Sequence, residues 1–226
     1  MSVPNARQND ASAAPERDGL RVDIISDVVC PWCLIGFRRL ERAAAQVDGL
    51  NELSLRWHAF ELNPMMPPEG QNLREHVAEK YGASLAQSDR ARERITRLGA
   101  DLGVVFNYPD DKRMVNTRQA HELLAWAAVS GRQTQLKLAL FDAYFTADRD
   151  VSDTEVLLDV ATEVGLPRAE ATQVLEDGRF VAAVRAEEAR WPQLGIQGVP
   201  TFIVGGRYLV SGAQEEAVFI EVFERT

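Results

Sequence analysis

The sequence predicts an α/β fold in which a βαβ unit and a later αββα unit form one frame, split by an all-helical insertion. Three observations predict it. A β-branched run over residues 20–25 is followed within a few residues by a helical pattern that opens at Pro31. A second, alternating run spans residues 53–59. Near the end, two short apolar runs at 201–204 and 208–210 flank Gly205-Gly206, whereas residues 73 to about 190 carry helical periodicity and no convincing strand.

Each element follows from its residues. Leu20, Val22, Ile24 and Ile25 supply the β-branched and apolar side chains of a short strand. Beyond Pro31, the residues Leu34, Ile35, Phe37, Leu40, Ala44 and Val47 recur at helical spacing up to Gly49, and Pro31 occupies the first turn, where its missing N–H has no partner to lose. In the second strand Leu53, Leu55, Trp57 and Ala59 share one face, leaving Ser54, Arg56 and His58 on a polar face. Asn63-Pro64 and Pro67-Pro68 end that pattern. The helical block starts at Leu73 with a helix stopped by Gly82, and its next helix carries Ile95, Leu98 and Leu102 ahead of Gly103. Asn116 is expected to cap a helix that ends at Gly131, and a further helix runs to about Phe145. Ser152 and Glu155 have the spacing of a capping box, and Gly165 with Pro167 separates that helix from the next. The Gly-Gly pair predicts a hairpin, and residues 214–223 form a closing amphipathic helix. No internal repeat is present.

The 226 residues correspond to roughly one and a half domains at about 150 residues each. The predicted division is a disordered tail over 1–19, a core built from 20–70 and 180–226, and the inserted helical domain over 71–179. With 46% hydrophobic and 26% charged residues the chain can bury a sizeable core. A net charge of −9, from 25 basic and 34 acidic residues, argues against nucleic acid as a partner. No run approaches the length of a membrane span, and residues 1–19 lack the apolar stretch of a secretory signal, so a cytoplasmic location is expected.

The only two cysteines are Cys30 and Cys33, in the order Cys30-Pro31-Trp32-Cys33. Thiols at positions i and i+3 of a first helical turn share one side and can close a small disulfide ring. Cys30 is expected to be exposed at the helix N-terminus, where unpaired N–H groups and the helix dipole lower its pKa, with Cys33 tucked beneath it. Pro31 stiffens the turn and Trp32 places an apolar face beside the sulfur. A zinc site needs further ligands, and His58, His76 and His121 show no ligand spacing, so neither a metal nor another cofactor is expected. A merely structural buried pair is the bland alternative. A C-x-x-C at the strand-to-helix turn of a βαβ unit reads instead as a thioredoxin-like redox motif.

Three segments carry a family resemblance. Ser26-Asp27-Val28-Val29-Cys30-Pro31-Trp32-Cys33-Leu34-Ile35-Gly36, Phe60-Glu61-Leu62-Asn63-Pro64 and Gly198-Val199-Pro200-Thr201-Phe202 resemble the DsbA-like thioredoxin-fold proteins of the FrnE branch. That superfamily is shared with 2-hydroxychromene-2-carboxylate isomerase and kappa-class glutathione transferase. The resemblance covers about residues 20–224 and implies a thioredoxin fold with an inserted all-helical domain. It implies that Cys30 attacks and Cys33 resolves, and that Pro200 follows a cis bond and faces the cysteines. The Val199 backbone would then be open to an extended substrate, with Pro31 and Trp32 beside it. Two departures stand out. The strand position six residues before Cys30, where many thioredoxin-fold proteins keep a buried acid that takes the resolving thiol's proton, is Ile24; Asp27, His58 or Glu61 could substitute through water. The second cysteine pair of some relatives is absent. Asn116-Thr117 also resembles a stretch near the active site in the wider superfamily, beside its plain reading as a helix cap.

The leading expectation is a thiol-disulfide oxidoreductase acting through Cys30 and Cys33, with protein thiols or disulfides and glutathione as partners. Two other readings stay open: a glutathione-dependent isomerase or transferase of a small aromatic substrate, and a peptide-binding chaperone module. Oligomeric state, substrate and direction of electron flow are left undetermined by the sequence.

Overall fold

The computed structural model describes residues 19–50 and 52–226. The tail expected over 1–19 therefore lies, except for Gly19, outside the described residues. The chain opens with β1 (Leu20–Ser26), α1 (Pro31–Ala44) and β2 (Leu53–Ala59). It continues through β3 (Gln71–Asn72), α2 (Leu73–Tyr81), α3 (Leu85–Asp101), β4 (Arg113–Met114), α4 (Arg118–Val129), α5 (Gln133–Phe145), α6 (Thr154–Glu163), α7 (Arg168–Asp177) and α8 (Val181–Gln193). The hairpin β5 (Thr201–Val204) and β6 (Tyr208–Ser211) and then α9 (Glu216–Glu224) complete it. This is a thioredoxin fold with helices inserted between its two halves.

The main sheet has the order β2-β1-β5-β6, with β1 parallel to β2 and antiparallel to β5. Alternation along β1 sends Val22 and Ile24 into the main core with Phe37 and Phe202, while Ile25 points to a second cluster with Trp191 and Ile196. β1 is thus covered on both faces, which explains its nearly continuous apolar run. α1 and α9 pack together, and Phe219 of α9 meets Phe202 of β5 edge to face at 5.0 Å. In the hairpin, Gly205 and Gly206 both have positive φ, the requirement for a tight turn whose twist suits the flanking strands.

β2 forms one edge of the sheet, and side chains from the helices occupy that edge. The Gln133 amide accepts from the Trp57 N–H at 3.0 Å and donates to the Trp57 carbonyl at 2.8 Å. Glu187 accepts from the Ala59 N–H at 2.8 Å, and the Trp191 indole donates to the Ala59 carbonyl at 2.9 Å. His58, expected on a polar face, is buried there between Asp23 at 2.7 Å and Glu187 at 2.5 Å, because α8 covers that side. Burial pushes both carboxyls up, but hydrogen bonds from Arg21 and His58 to Asp23, and from His58 and Ala59 to Glu187, outweigh it and hold both below the usual range.

Two local expectations are corrected. The residues from 73 to 190 do contain a strand, the two-residue β4, which pairs with β3 to tie the start of α2 to the segment before α4. The cap of α6 is Asp153, whose carboxylate accepts from Glu155 and Val156 N–H groups, while Ser152 bonds Asp150 instead. An ionised acceptor one residue later displaces the predicted box.

Candidate active site

Cys30 is the N-cap of α1, Pro31 its first residue, and the Cys33 N–H closes the turn on the Cys30 carbonyl at 3.0 Å. The cis Val199–Pro200 bond brings the loop before β5 against this turn. The Cys30 thiol faces the Val199 carbonyl at 3.9 Å. Close approach is possible because Gly36 has no side chain: a Cβ there would lie 3.2 Å from Pro200 Cγ and 3.1 Å from Phe202 Cζ. Gly212 donates to the Pro200 carbonyl at 2.8 Å, fixing the loop from its other side. Trp32 is half-buried beside the pair, with the Arg94 guanidinium 5.5 Å from its ring centre. Cys30, Cys33, Pro31, Trp32, Val199 and Pro200, expected from sequence, thus meet at one place.

The two cysteines are unbonded. Cys30, expected to be exposed, is only 4% accessible, and Cys33 is wholly enclosed. The hydrogen bond with Cys33, burial and the Cys33 charge hold the Cys30 thiol well above the usual range. Burial and the neighbouring sulfur thus oppose the lowering expected there from the helix N-terminus. Burial also pushes Cys33 up, but the Cys30 hydrogen bond, the Lys137 ammonium and the Ser26 hydroxyl together bring it below the ordinary value. Half ionised, the pair holds one proton between its two sulfurs.

Behind the pair lies a charged group that the sequence showed only in part. Asp27, just ahead of the helix, is fully buried; its carboxylate accepts from the Leu62 N–H at 2.7 Å and faces His121 Nε2 at 3.3 Å. Burial would raise it, but the His121 hydrogen bond and charge and the Leu62 N–H keep it below the usual carboxylate range. Lys137 of α5 is 1% exposed. It interrupts an apolar run, and a lone lysine in such a run ordinarily lies at the solvated edge, so residue type alone does not mark it. The available signal was its place one turn from both Gln133 and Phe141, on an inward face. Glu61 is half-buried and raised by burial and by Asp27, and Asn116 bonds it at 3.3 Å. Asn116 also accepts from the Arg118 N–H, so it serves the start of α4 from one residue ahead of the N-cap, Thr117.

Among the described residues no helix is long and apolar enough to cross a membrane. Residues 21–223 match the DSBA-like thioredoxin domain family. A probable DsbA oxidoreductase from Streptomyces coelicolor shares 32% identity, covering 91% of this chain and 89% of its own, with a TM-score of 0.86. The uncharacterized protein YwbO of Bacillus subtilis (strain 168) is 26% identical over 201 residues, 88% of this chain and 94% of that protein. The cytosolic disulfide reductase DsbM from Pseudomonas aeruginosa aligns over 91% of this chain and 98% of its own with a TM-score of 0.62; at 22% identity that likeness concerns the fold alone.

Proposed function

The chain belongs to the DSBA-like thioredoxin domain family, and from that premise we propose that it exchanges disulfides with thiol or disulfide substrates through Cys30 and Cys33. The observation that carries this reading is the meeting of the Cys30 thiol with the Val199 carbonyl beside Pro200. An extended peptide can lie along that backbone with its sulfur at Cys30. Cys30, the more accessible sulfur, attacks a substrate disulfide once the shared proton returns to Cys33; a Cys30–substrate disulfide forms and one substrate thiolate leaves. Cys33 then attacks Cys30, the internal disulfide forms, and the second substrate thiolate leaves. Two electrons have passed from the dithiol to the substrate, and the reverse sequence oxidises a substrate dithiol. Glutathione is the expected electron partner and the cytoplasm the expected setting. Insulin reduction and refolding of scrambled ribonuclease test the reading: wild type turns both over and Cys30→Ser neither. Turnover that survives Cys30→Ser refutes it.

A further inference from the structure

α3 borders the redox turn without belonging to it. It packs on α1, and the guanidinium of its exposed residue Arg94 lies 5.5 Å from the centre of the half-buried Trp32 ring, between Pro31 and Cys33 in the chain. Arg97 follows one turn later, and residues three apart on a helix are surface neighbours, with Cβ atoms about 5–6 Å apart. Arg97 lines an open groove of about 680 Å³ that α3 forms with Arg74 of α2 and with Phe106 and Tyr108. The rings of Phe106 and Tyr108 are stacked nearly parallel in its wall, 6.0 Å apart. Arg94 and Arg97 thus form a strip that leads from the cysteine turn into the groove.

The charges along this path divide into two sets. Arg92 is held by Asp89 at 2.5 Å, and Arg74 by Asp110 at 2.8 Å and Asp89 at 3.7 Å. Those carboxylates are spent on the frame of the groove. Arg94 and Arg97 are exposed and make no ion pair or hydrogen bond with any described residue; Glu93, also exposed on the groove, pairs with neither. At the same wall Arg74 Nε is buried without a hydrogen-bond partner, a donor that the frame leaves unused. The guanidinium fork matches a carboxylate through two parallel N–H···O bonds. One that already rests on an aromatic ring has less freedom to lose when an anion joins it. In a chain of net charge −9, two unspent cations beside the redox turn attract what the rest of the surface repels.

We propose that Arg94 and Arg97, contributed by the inserted helices, select substrates: they bind the carboxylates that flank the reactive cysteine of an acidic peptide, while a neighbouring apolar side chain rests on Phe106 and Tyr108. The proposal deepens the disulfide-exchange reading and rests on it. An extended peptide advances about 3.3 Å per residue, so with its sulfur at Cys30 the residues two to four positions away lie about 7–13 Å off, a length that spans Trp32 and the cation stacked on it. Neither arginine makes or breaks a bond. Both determine specificity, and the exchange steps stay with Cys30 and Cys33.

Two disulfide-linked peptides of one sequence, with either glutamate or lysine flanking the cysteine, test this. The second-order rate constant for their reduction by the dithiol protein should favour the glutamate peptide about five- to tenfold at low salt, and the preference should shrink as ionic strength rises. In the double variant Arg94→Gln, Arg97→Gln the ratio should fall to about one, whereas Arg94→Lys, Arg97→Lys, which keeps both charges, should retain most of it. A merely structural role would move melting temperature and leave the ratio alone. Equal use of the two peptides by wild type, or an unchanged ratio in the folded glutamine variant, overturns the proposal. The same peptides with serine in place of cysteine cannot exchange, and their affinities, read by fluorescence anisotropy, should show the same preference and the same loss. A wild type that reduces neither peptide would refute the exchange reading, while the anisotropy ratio would still decide the role of Arg94 and Arg97.

Discussion

Replacing Gly36 by alanine puts the contact between α1 and the Pro200 loop under a direct test. The new Cβ would sit 3.1 Å from Phe202 Cζ, 3.2 Å from Pro200 Cγ and 3.3 Å from Ala213 Cα. Carbon atoms prefer about 3.5–4.0 Å, so all three contacts are short by a few tenths of an ångström. None of these neighbours is a flexible tail: one is a packed ring, one a proline ring and one backbone. Overpacking of this kind costs about 1–3 kcal/mol, while removing a helical glycine returns about 0.5–1 kcal/mol. The balance is a loss of up to about 2.5 kcal/mol, or up to about 10 °C in melting temperature for a chain of this size. Gly99→Ala serves as the comparison, because its Cβ would run into the Phe106 ring, on a helix that carries neither cysteine nor the Pro200 loop. Thermal unfolding should therefore show both variants destabilised, whereas insulin reduction by the folded protein should slow only in Gly36→Ala. A Gly36→Ala protein as stable and as active as wild type would refute the reasoning.

Two further outcomes are expected. Gln133→Ala strips both partners from the Trp57 backbone, and urea unfolding should show a loss of about 1–3 kcal/mol for the groups left unpaired. Glu188 is raised by burial first and by Glu61 second, so ionising it works against the fold. Glu188→Gln keeps an acceptor for the Glu61 N–H, held at 2.7 Å, and should stabilise by about 0.5 kcal/mol at neutral pH. Its advantage should fade as pH falls through the raised value and the native carboxyl protonates, and melting curves at neutral and acid pH check the sign.

Periodicity and punctuation made most of the frame legible. Gly82 ends α2 in the left-handed conformation, the Gly205-Gly206 pair turns the hairpin, and the helical segments lie where apolar spacing put them. The cysteine turn was legible because its chemistry is local: two sulfurs, a proline and a helix start lie within four residues. What escaped was burial created by distant elements. Cys30 is covered, His58 enclosed by α8 and Lys137 drawn inward, and no window around any of them contains the segment that covers it. The same holds for the titration of the thiols. The helix N-terminus can be read beside Cys30, but the Lys137 charge comes from more than a hundred residues along the chain.

The side chains that close the outer edge of β2 also set a schedule for synthesis. Gln133 lies 76 residues beyond Trp57, and Trp191 lies 132 beyond Ala59. At about 5–20 residues per second, the nascent strand waits roughly 4–26 s for these partners. During that interval Trp57 and Ala59 present unpaired N–H and C=O groups that the folded molecule never shows. Mispairing with another nascent chain is therefore a hazard of translation, confined to the period before α5 and α8 leave the ribosome.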